Sequence, residues 1–127
     1  MERSVGLLLV EDEAMIQEML ESELTDAGFE VVSASSGTQA LAELDGDVVR
    51  FRALICDIRL GEGPDGWKVA RRARELAPDM VVIYISGDSS AEWSAKGVPN
   101  SMMIAKPFVI AQIITAVSTM LNEAEPP

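Results

Sequence analysis

Positively charged residues are scarce in this chain. Only 10 of its 127 residues are Lys or Arg, against 21 Asp or Glu, and the formal net charge at pH 7 is −11. A nucleic-acid partner requires clustered cations to neutralise its phosphates, so this balance argues against direct binding of DNA or RNA. The composition favours a protein or a cation as the partner.

Cysteine and long apolar runs are scarce as well. The lone cysteine, Cys56, cannot form an internal disulfide, and its place in an apolar run predicts a buried, reduced thiol. No segment reaches membrane-spanning length, and the short apolar run near the N-terminus is not typical of a secretory signal. We therefore expect a soluble, cytoplasmic protein without a membrane partner.

The remaining composition is that of one compact domain. With 48% hydrophobic residues, the chain can fill a single core, and we expect one domain over residues 1–127. Its core is expected over about residues 5–122, followed by a short acidic tail.

Apolar runs alternate with amphipathic segments along the chain. Continuous apolar runs predict strands over residues 5–10, 29–34, 53–57, 80–85 and 101–105. Apolar residues spaced by three or four predict helices over residues 15–27, ending at Gly28, and over residues 37–45, 66–76, 89–96 and 108–122. This alternation predicts an α/β fold with a doubly wound, five-stranded parallel sheet.

Polar residues follow four of the predicted strands, at the edge where ligands bind in such sheets. The acids among them would repel one another, and a hard divalent cation such as Mg²⁺ resolves the repulsion because it prefers oxygen ligands. These residues are Glu11 and Asp12 after the first strand, Asp57 after the third, Ser86 after the fourth and Lys106 after the fifth.

This set of residue types suits phosphoryl capture. Asp57 is a plausible nucleophile for phosphorus, because Mg²⁺ and the Lys106 ammonium would neutralise the charge of the incoming group. The Ser86 hydroxyl can donate to a phosphoryl oxygen, and Gly87 leaves space beside the backbone.

The chain resembles the receiver domains of response regulators over nearly its whole length. Each motif is weak alone, but all of them occur in order at the ends of the expected strands. The motifs are Glu11-Asp12, Asp57, Ser86-Gly87 and Lys106-Pro107. The resemblance implies a flavodoxin-like receiver fold with strand order 2-1-3-4-5.

The same resemblance implies roles for individual residues. Asp57 would accept phosphate from a histidine kinase or a histidine phosphotransfer protein. Mg²⁺ would be bound by Asp12, Asp57 and the main-chain carbonyl of Arg59, and by Glu11 through water. Lys106 would contact the phosphoryl group, and Ser86 would move toward it on activation.

Signalling is then expected to proceed through a downstream protein target. The chain would not be an enzyme beyond its own phosphoryl transfer and autodephosphorylation. Adaptor, phosphorelay intermediate and phosphate sink all remain open, and so does a homodimer.

Two positions depart from the common receiver pattern. Many receivers have Tyr or Phe three residues before the lysine, but this chain has Met103, which predicts a softer switch because Met is flexible. Arg59 and Asp88 lie two residues beyond Asp57 and Ser86. We expect an ion pair between them that screens an aspartyl phosphate from water and slows its hydrolysis.

Each of these residues could also have an ordinary structural role. Glu11 and Asp12 could belong to a solvated loop, Asp57 or Ser86 could cap a helix, and Lys106 could be an ordinary surface lysine. Trp93, Val109 and Ile110 could form an exposed partner surface, but Trp93 is expected to complete the core. The basic run Arg71, Arg72 and Arg74 is expected to form a solvated helix face.

Three other functions are alternatives to a phosphoacceptor. Haloacid-dehalogenase-type phosphatases also use an Asp nucleophile, but they carry a second Asp where this chain has Arg59. A flavodoxin-like redox module would need a phosphate-binding loop after the first strand, where this chain has three acids in a row. The main alternative is a receiver-like interaction module that is never phosphorylated.

Overall fold

The fold is seen in a computed structural model, which describes residues 5–88 and 90–124. Strands and helices alternate through these residues, as the sequence predicts. The strands are β1 (Gly6–Val10), β2 (Glu30–Ala34), β3 (Ala53–Asp57), β4 (Val81–Ser86) and β5 (Ser101–Ala105). The helices are α1 (Ala14–Asp26), α2 (Gly37–Asp47), α3 (Gly66–Leu76), α4 (Trp93–Lys96) and α5 (Ile110–Ala124).

The five strands form one parallel sheet in the order β2-β1-β3-β4-β5. Val10 is paired with Cys56, Cys56 with Tyr84, and Tyr84 with Met103, so the carboxyl ends of these four strands lie side by side. The predicted α/β fold and strand order are confirmed.

Each face of the sheet carries its own core, because alternate side chains of a strand point to opposite faces. On β1, Leu8 and Val10 pack with residues of α2 and α3, whereas Leu7 and Leu9 pack with residues of α1 and α5. The sheet is therefore covered on both sides, and its carboxyl edge is left for polar residues.

The fourth helix is much shorter than predicted. Within residues 90–96, a 3₁₀ turn (Ser90–Glu92) is followed by the single turn of α4; Ser89, the first residue of the predicted helix, lies outside the described residues. The Gly97 amide closes this turn on the Trp93 carbonyl, and a Cβ on Gly97 would lie 2.3 Å from the Trp93 ring. The helix therefore ends at Gly97, as predicted, and it is short because residues 90–92 form a 3₁₀ turn in place of its first turn.

The expectation that Trp93 completes the core is wrong. Trp93 is 36% exposed, and its indole nitrogen donates to the Ser101 hydroxyl at 2.9 Å. This hydrogen bond holds the ring along the surface, between α4 and the start of β5.

Helix α5 begins two residues later than predicted. The Val109 amide donates to the Gln112 side chain at 2.9 Å, which caps the helix at this point and leaves Phe108 and Val109 outside it. None of the helices in the described ranges combines the length and apolar character that a membrane span requires.

Candidate functional site

The carboxyl edge of the sheet brings the predicted site residues together. Asp57 is the last residue of β3 and Ser86 the last of β4, while Glu11 follows β1 and Lys106 follows β5. Glu11, Asp57 and Ser86 are buried, although they are polar. Buried polar groups of this kind require compensating partners, and the contacts at this edge supply some of them.

Lys106 is the central cation of the site. Its Nζ donates to Asp57 Oδ2 at 2.9 Å and lies 3.7 Å from Glu11 Oε1. The Asp57 side chain is 7% exposed and that of Lys106 is 22% exposed. Partial burial by itself would lower the pKa of Lys106, but the hydrogen bond and charge of Asp57 outweigh it and raise that pKa. Lys106 therefore stays charged beside Asp57, which argues against an ordinary surface lysine.

Glu11 is fully buried and only partly compensated. Its Oε2 accepts a hydrogen bond from the Glu13 amide at 3.1 Å, whereas its Oε1 has no hydrogen-bond partner among the described residues. Burial raises the pKa of Glu11 to about 7, and the charge of Asp57 also raises it. The Glu13 amide and Lys106 oppose this rise in pKa. One carboxylate oxygen is thus left facing the site without a donor.

Three carboxylates form a cluster that fits a divalent cation. Oxygen atoms of Glu11, Asp12 and Asp57 lie within 4.8 Å of one another, and Asp12 is exposed whereas the other two are buried. An all-oxygen donor set with one solvated member suits Mg²⁺, which keeps several water ligands. Glu11 Oε1, which is buried without a hydrogen-bond donor among the described residues and lies 3.7 Å from Lys106 Nζ, is a further oxygen that a cation can use. The residues present therefore fit the metal that the sequence predicts.

The loop after β3 is held close to Asp57. The Arg59 amide donates to Asp57 Oδ1 at 3.3 Å, and the Gly66 amide donates to the Ile58 carbonyl at 2.8 Å. A Cβ on Gly66 would lie 2.3 Å from the Asp57 carbonyl oxygen, so only glycine fits where α3 meets β3. Sequence reasoning missed this role of Gly66, although a glycine between a capping Asp65 and Trp67 was a usable signal.

The predicted ion pair at the mouth of the site is present. Arg59 Nε donates to Asp88 Oδ1 at 2.9 Å, and both side chains are exposed, at 73% and 58%. The Asp88 amide in turn donates to the Ser86 hydroxyl at 3.2 Å. The pair therefore joins the loop that follows Asp57 to the loop that follows Ser86.

Asp57 is not the cap of the helix that follows it. The carboxylate that caps α3 is that of Asp65, which accepts from the Lys68 amide at 3.0 Å and lies eight positions after Asp57. Cys56 is buried as predicted, and burial, together with the charges of Asp57 and Glu11, raises the pKa of its thiol. It is therefore not an available nucleophile at this edge.

The basic run on α3 divides into different roles. Arg72 pairs with Asp45 and Glu75, whereas Arg74 donates to the main-chain carbonyls of Met80, Pro99 and Asn100. Arg71 is exposed. The expected solvated face thus holds for Arg71 but not for Arg74, whose guanidinium links α3 to the residues just before β4 and β5.

Comparison with known proteins agrees with this geometry. The family model described as the response regulator receiver domain matches residues 7–118. The response regulator receiver protein CpdR of Brucella abortus is 31% identical over an alignment of 126 positions that covers 93% of this chain and 98% of CpdR. A crystal structure of a response regulator receiver protein from Sinorhizobium medicae is 47% identical, has a TM-score of 0.93 and covers 97% of this chain and 98% of its own.

Other relatives are longer than this chain or less similar to it. The transcriptional regulatory protein DctD of Rhizobium meliloti is 29% identical over 116 residues, which are 90% of this chain but 25% of DctD. The chemotaxis protein CheY4 of Vibrio cholerae has a TM-score of 0.82 at 24% identity, so it supports the fold alone. Receiver units of this kind therefore occur both in short proteins and within longer ones. The chain belongs to the response regulator receiver family of two-component signalling.

Proposed function

We propose that Asp57 accepts a phosphoryl group with the help of bound Mg²⁺, and that the phosphorylated chain signals by contact with another protein. The observation that carries the proposal is the Lys106 Nζ contact with Asp57 Oδ2 at 2.9 Å, beside a cluster of three carboxylates. A buried carboxylate next to one cation and a potential divalent site is suited to attack on phosphorus.

The transfer uses groups already at this edge of the sheet. An Asp57 oxygen forms a bond to phosphorus as the bond between phosphorus and an imidazole nitrogen of the donor breaks, and that nitrogen keeps the electron pair. Bound Mg²⁺ would supply positive charge for the phosphoryl oxygens. Asp12, Asp57 and the Arg59 carbonyl would hold it directly, and Glu11 would hold it through water. Lys106 would leave Asp57 Oδ2 for a phosphoryl oxygen, and Ser86 would donate its hydroxyl to another.

The donor and the target lie outside these residues. Receiver domains interact with histidine kinases or phosphotransfer proteins and with effectors. This chain contains no histidine, so a phosphohistidine donor has to come from outside its 127 residues. We therefore propose a histidine kinase or a histidine phosphotransfer protein as the donor and a protein as the downstream target, with the whole unit acting in the cytoplasm.

The alternatives have less support. A phosphatase of the haloacid dehalogenase type would need a general acid at residue 59, where the guanidinium is instead paired with Asp88. A flavin phosphate would meet the acidic residues 11–13 after β1. An interaction module that is never phosphorylated would have the same fold as the proposed phosphoacceptor and would differ only in lacking the reaction at Asp57. The experiment below distinguishes these two functions.

The test is the intact mass of the protein after incubation with acetyl phosphate and Mg²⁺. The wild type should gain one phosphoryl group, roughly 80 Da, and lose this gain when EDTA replaces Mg²⁺. Asp57→Ala should gain nothing. Asp45→Ala, which removes an exposed acid paired with Arg72, is the matched control and should behave as the wild type. A wild type that gains no mass with Mg²⁺ would identify the unphosphorylated module.

A further inference from the structure

The acidic loop after β1 has one hydrogen bond of its own, from the Glu13 amide to Glu11 Oε2, and its other contacts come from neighbouring elements. Residues 11–13 are three consecutive acids, and the buried Asp57 carboxylate lies beside them. Their mutual repulsion would spread the loop before any cation binds. Both the amide and the carbonyl of Glu11 are nevertheless hydrogen-bonded. The amide donates to the Ala34 carbonyl at 3.1 Å.

The second hold on Glu11 comes from Gln17, one turn into α1. Its Nε2 donates to the main-chain carbonyl of Glu11 at 3.2 Å and to that of Ala34 at 3.2 Å. The same nitrogen lies 3.3 Å from the Ser35 hydroxyl. One side chain therefore connects three elements: the acidic loop, the end of β2 and helix α1.

The contact of Gln17 with the two carbonyls requires a hydrogen-bond donor, and an amide is a donor without charge. Carbonyl oxygens only accept hydrogen bonds, so the nitrogen end of Gln17 has to face Glu11 and Ala34. A lysine could also donate here, but its charge would neutralise the carboxylates and compete with a divalent cation. A neutral donor holds the loop and leaves its negative charge available.

We infer that Gln17 is a positioning residue for the divalent cation, acting through the backbone of Glu11; this inference rests on the proposed function. Gln17 does not belong to the carboxylate cluster itself. It keeps Glu11 and Asp12 at the spacing that a cation requires. Its second hydrogen bond, to the Ala34 carbonyl, connects the acidic loop to the end of β2. The expected result of removing it is a weaker metal site in a folded protein.

Gln39 offers a matched control. Its Oε1 accepts from the Ser35 amide at 2.7 Å, so it holds the same turn after β2, and its own amide donates to the Ser36 hydroxyl rather than to the acidic loop. Gln17→Met and Gln39→Met are therefore the same chemical change on two sides of one turn. Only the first removes a bond to the acidic loop.

The experiment is a titration of each protein with MgCl₂, followed by the amide chemical shifts of residues 57–59 in NMR spectra. Urea unfolding confirms that each variant is fully folded at the temperature used. Gln17→Met should raise the Kd for Mg²⁺ about tenfold, as loss of a supporting hydrogen bond to a metal ligand commonly does, and Gln39→Met should stay within about twofold of the wild type. Should Gln17→Met not fold, Gln17→Asn keeps the amide but is too short to reach Glu11, and it should show the same loss.

Each outcome decides the matter. A Kd that is unchanged in the Gln17 variants, or raised equally by Gln39→Met, would overturn the positioning role while leaving the proposed function intact. A wild type that binds no Mg²⁺ would overturn the proposed function and the positioning role together.

Discussion

Two ion pairs at the same edge of the sheet have the same length but different surroundings. Lys106 Nζ and Asp57 Oδ2 are 2.9 Å apart in a site where the carboxylate is 7% exposed. Arg59 Nε and Asp88 Oδ1 are also 2.9 Å apart, but both side chains are more than half exposed. Solvent screens the second pair and removes most of its net contribution to stability, whereas the first pair compensates a buried charge.

The comparison shows that distance alone does not identify the important contact. Lys106 offsets the charge of Asp57 and also lies 3.7 Å from Glu11 Oε1, which accepts no hydrogen bond from the described residues. Arg59 and Asp88 instead link two exposed loops, so we expect them to affect access to the site rather than folding. The three predictions that follow separate these roles.

The largest expected effect is the loss of the buried pair. Lys106→Met should destabilise the metal-free protein by about 3 kcal/mol at pH 8, because Asp57 and Glu11 would lose their shared cation. Urea unfolding in EDTA measures this change. Lys96→Met, which removes an exposed lysine paired with Glu92, is the control and should cost less than about 1 kcal/mol. Equal losses in the two variants would contradict the assigned difference.

A second prediction concerns pH. The folded-state pKa of Glu11 is raised from 4.5 to about 7, mainly by burial, so the folded protein binds more protons than the unfolded chain between these values. This contribution to stability is fully present below about pH 4.5 and is lost as the pH rises through 7.

The measurement compares the wild type with Glu11→Gln, which cannot titrate at this position. Without metal, the free energy of unfolding of the wild type should fall relative to that of Glu11→Gln by on the order of 2 kcal/mol between pH 5 and pH 8. Mg²⁺ should reverse the fall, because it compensates the ionised carboxylate. Parallel pH curves for the two proteins would contradict the burial of an ionisable Glu11.

The smallest expected effect belongs to the exposed pair. Arg59→Ala should speed hydrolysis of the aspartyl phosphate by about two- to fivefold, the range that an exposed ion pair can contribute to a barrier. Phosphate release after removal of acetyl phosphate measures the rate, and Asp88→Ala should have the same effect. The double variant should be no faster than either single one. An unchanged rate in Arg59→Ala would refute the screening role of the pair.

Much of the fold follows from local patterns in the sequence. The bounds of β3, α3 and β5 agree with prediction, because apolar runs and a strongly amphipathic helix are bounded by clear turn residues. The segment around α4 lacks such a pattern. Its end at Gly97 was predicted, but its start was not, because the spacing of apolar residues does not distinguish the 3₁₀ turn at Ser90–Glu92 from a turn of α-helix.

The sequence likewise predicted one part of the candidate site and not another. The register of Glu11, Asp57, Ser86 and Lys106 after their strands was enough to predict that they meet, because parallel strands end at one edge. The link from Gln17 to the Glu11 and Ala34 carbonyls could not be predicted, since it depends on the placement of α1 against the end of β2.

The sequence by itself thus determined the fold class, the strand order through its resemblance to receivers, and the set of polar residues at the sheet edge. Only the tertiary structure decided that Glu11 is fully buried while its neighbour Asp12 is exposed, and that Lys106 rather than Arg59 pairs with Asp57. The physical reason is that burial and charge pairing depend on side chains from four strands, which are distant along the chain and become neighbours only in the folded sheet.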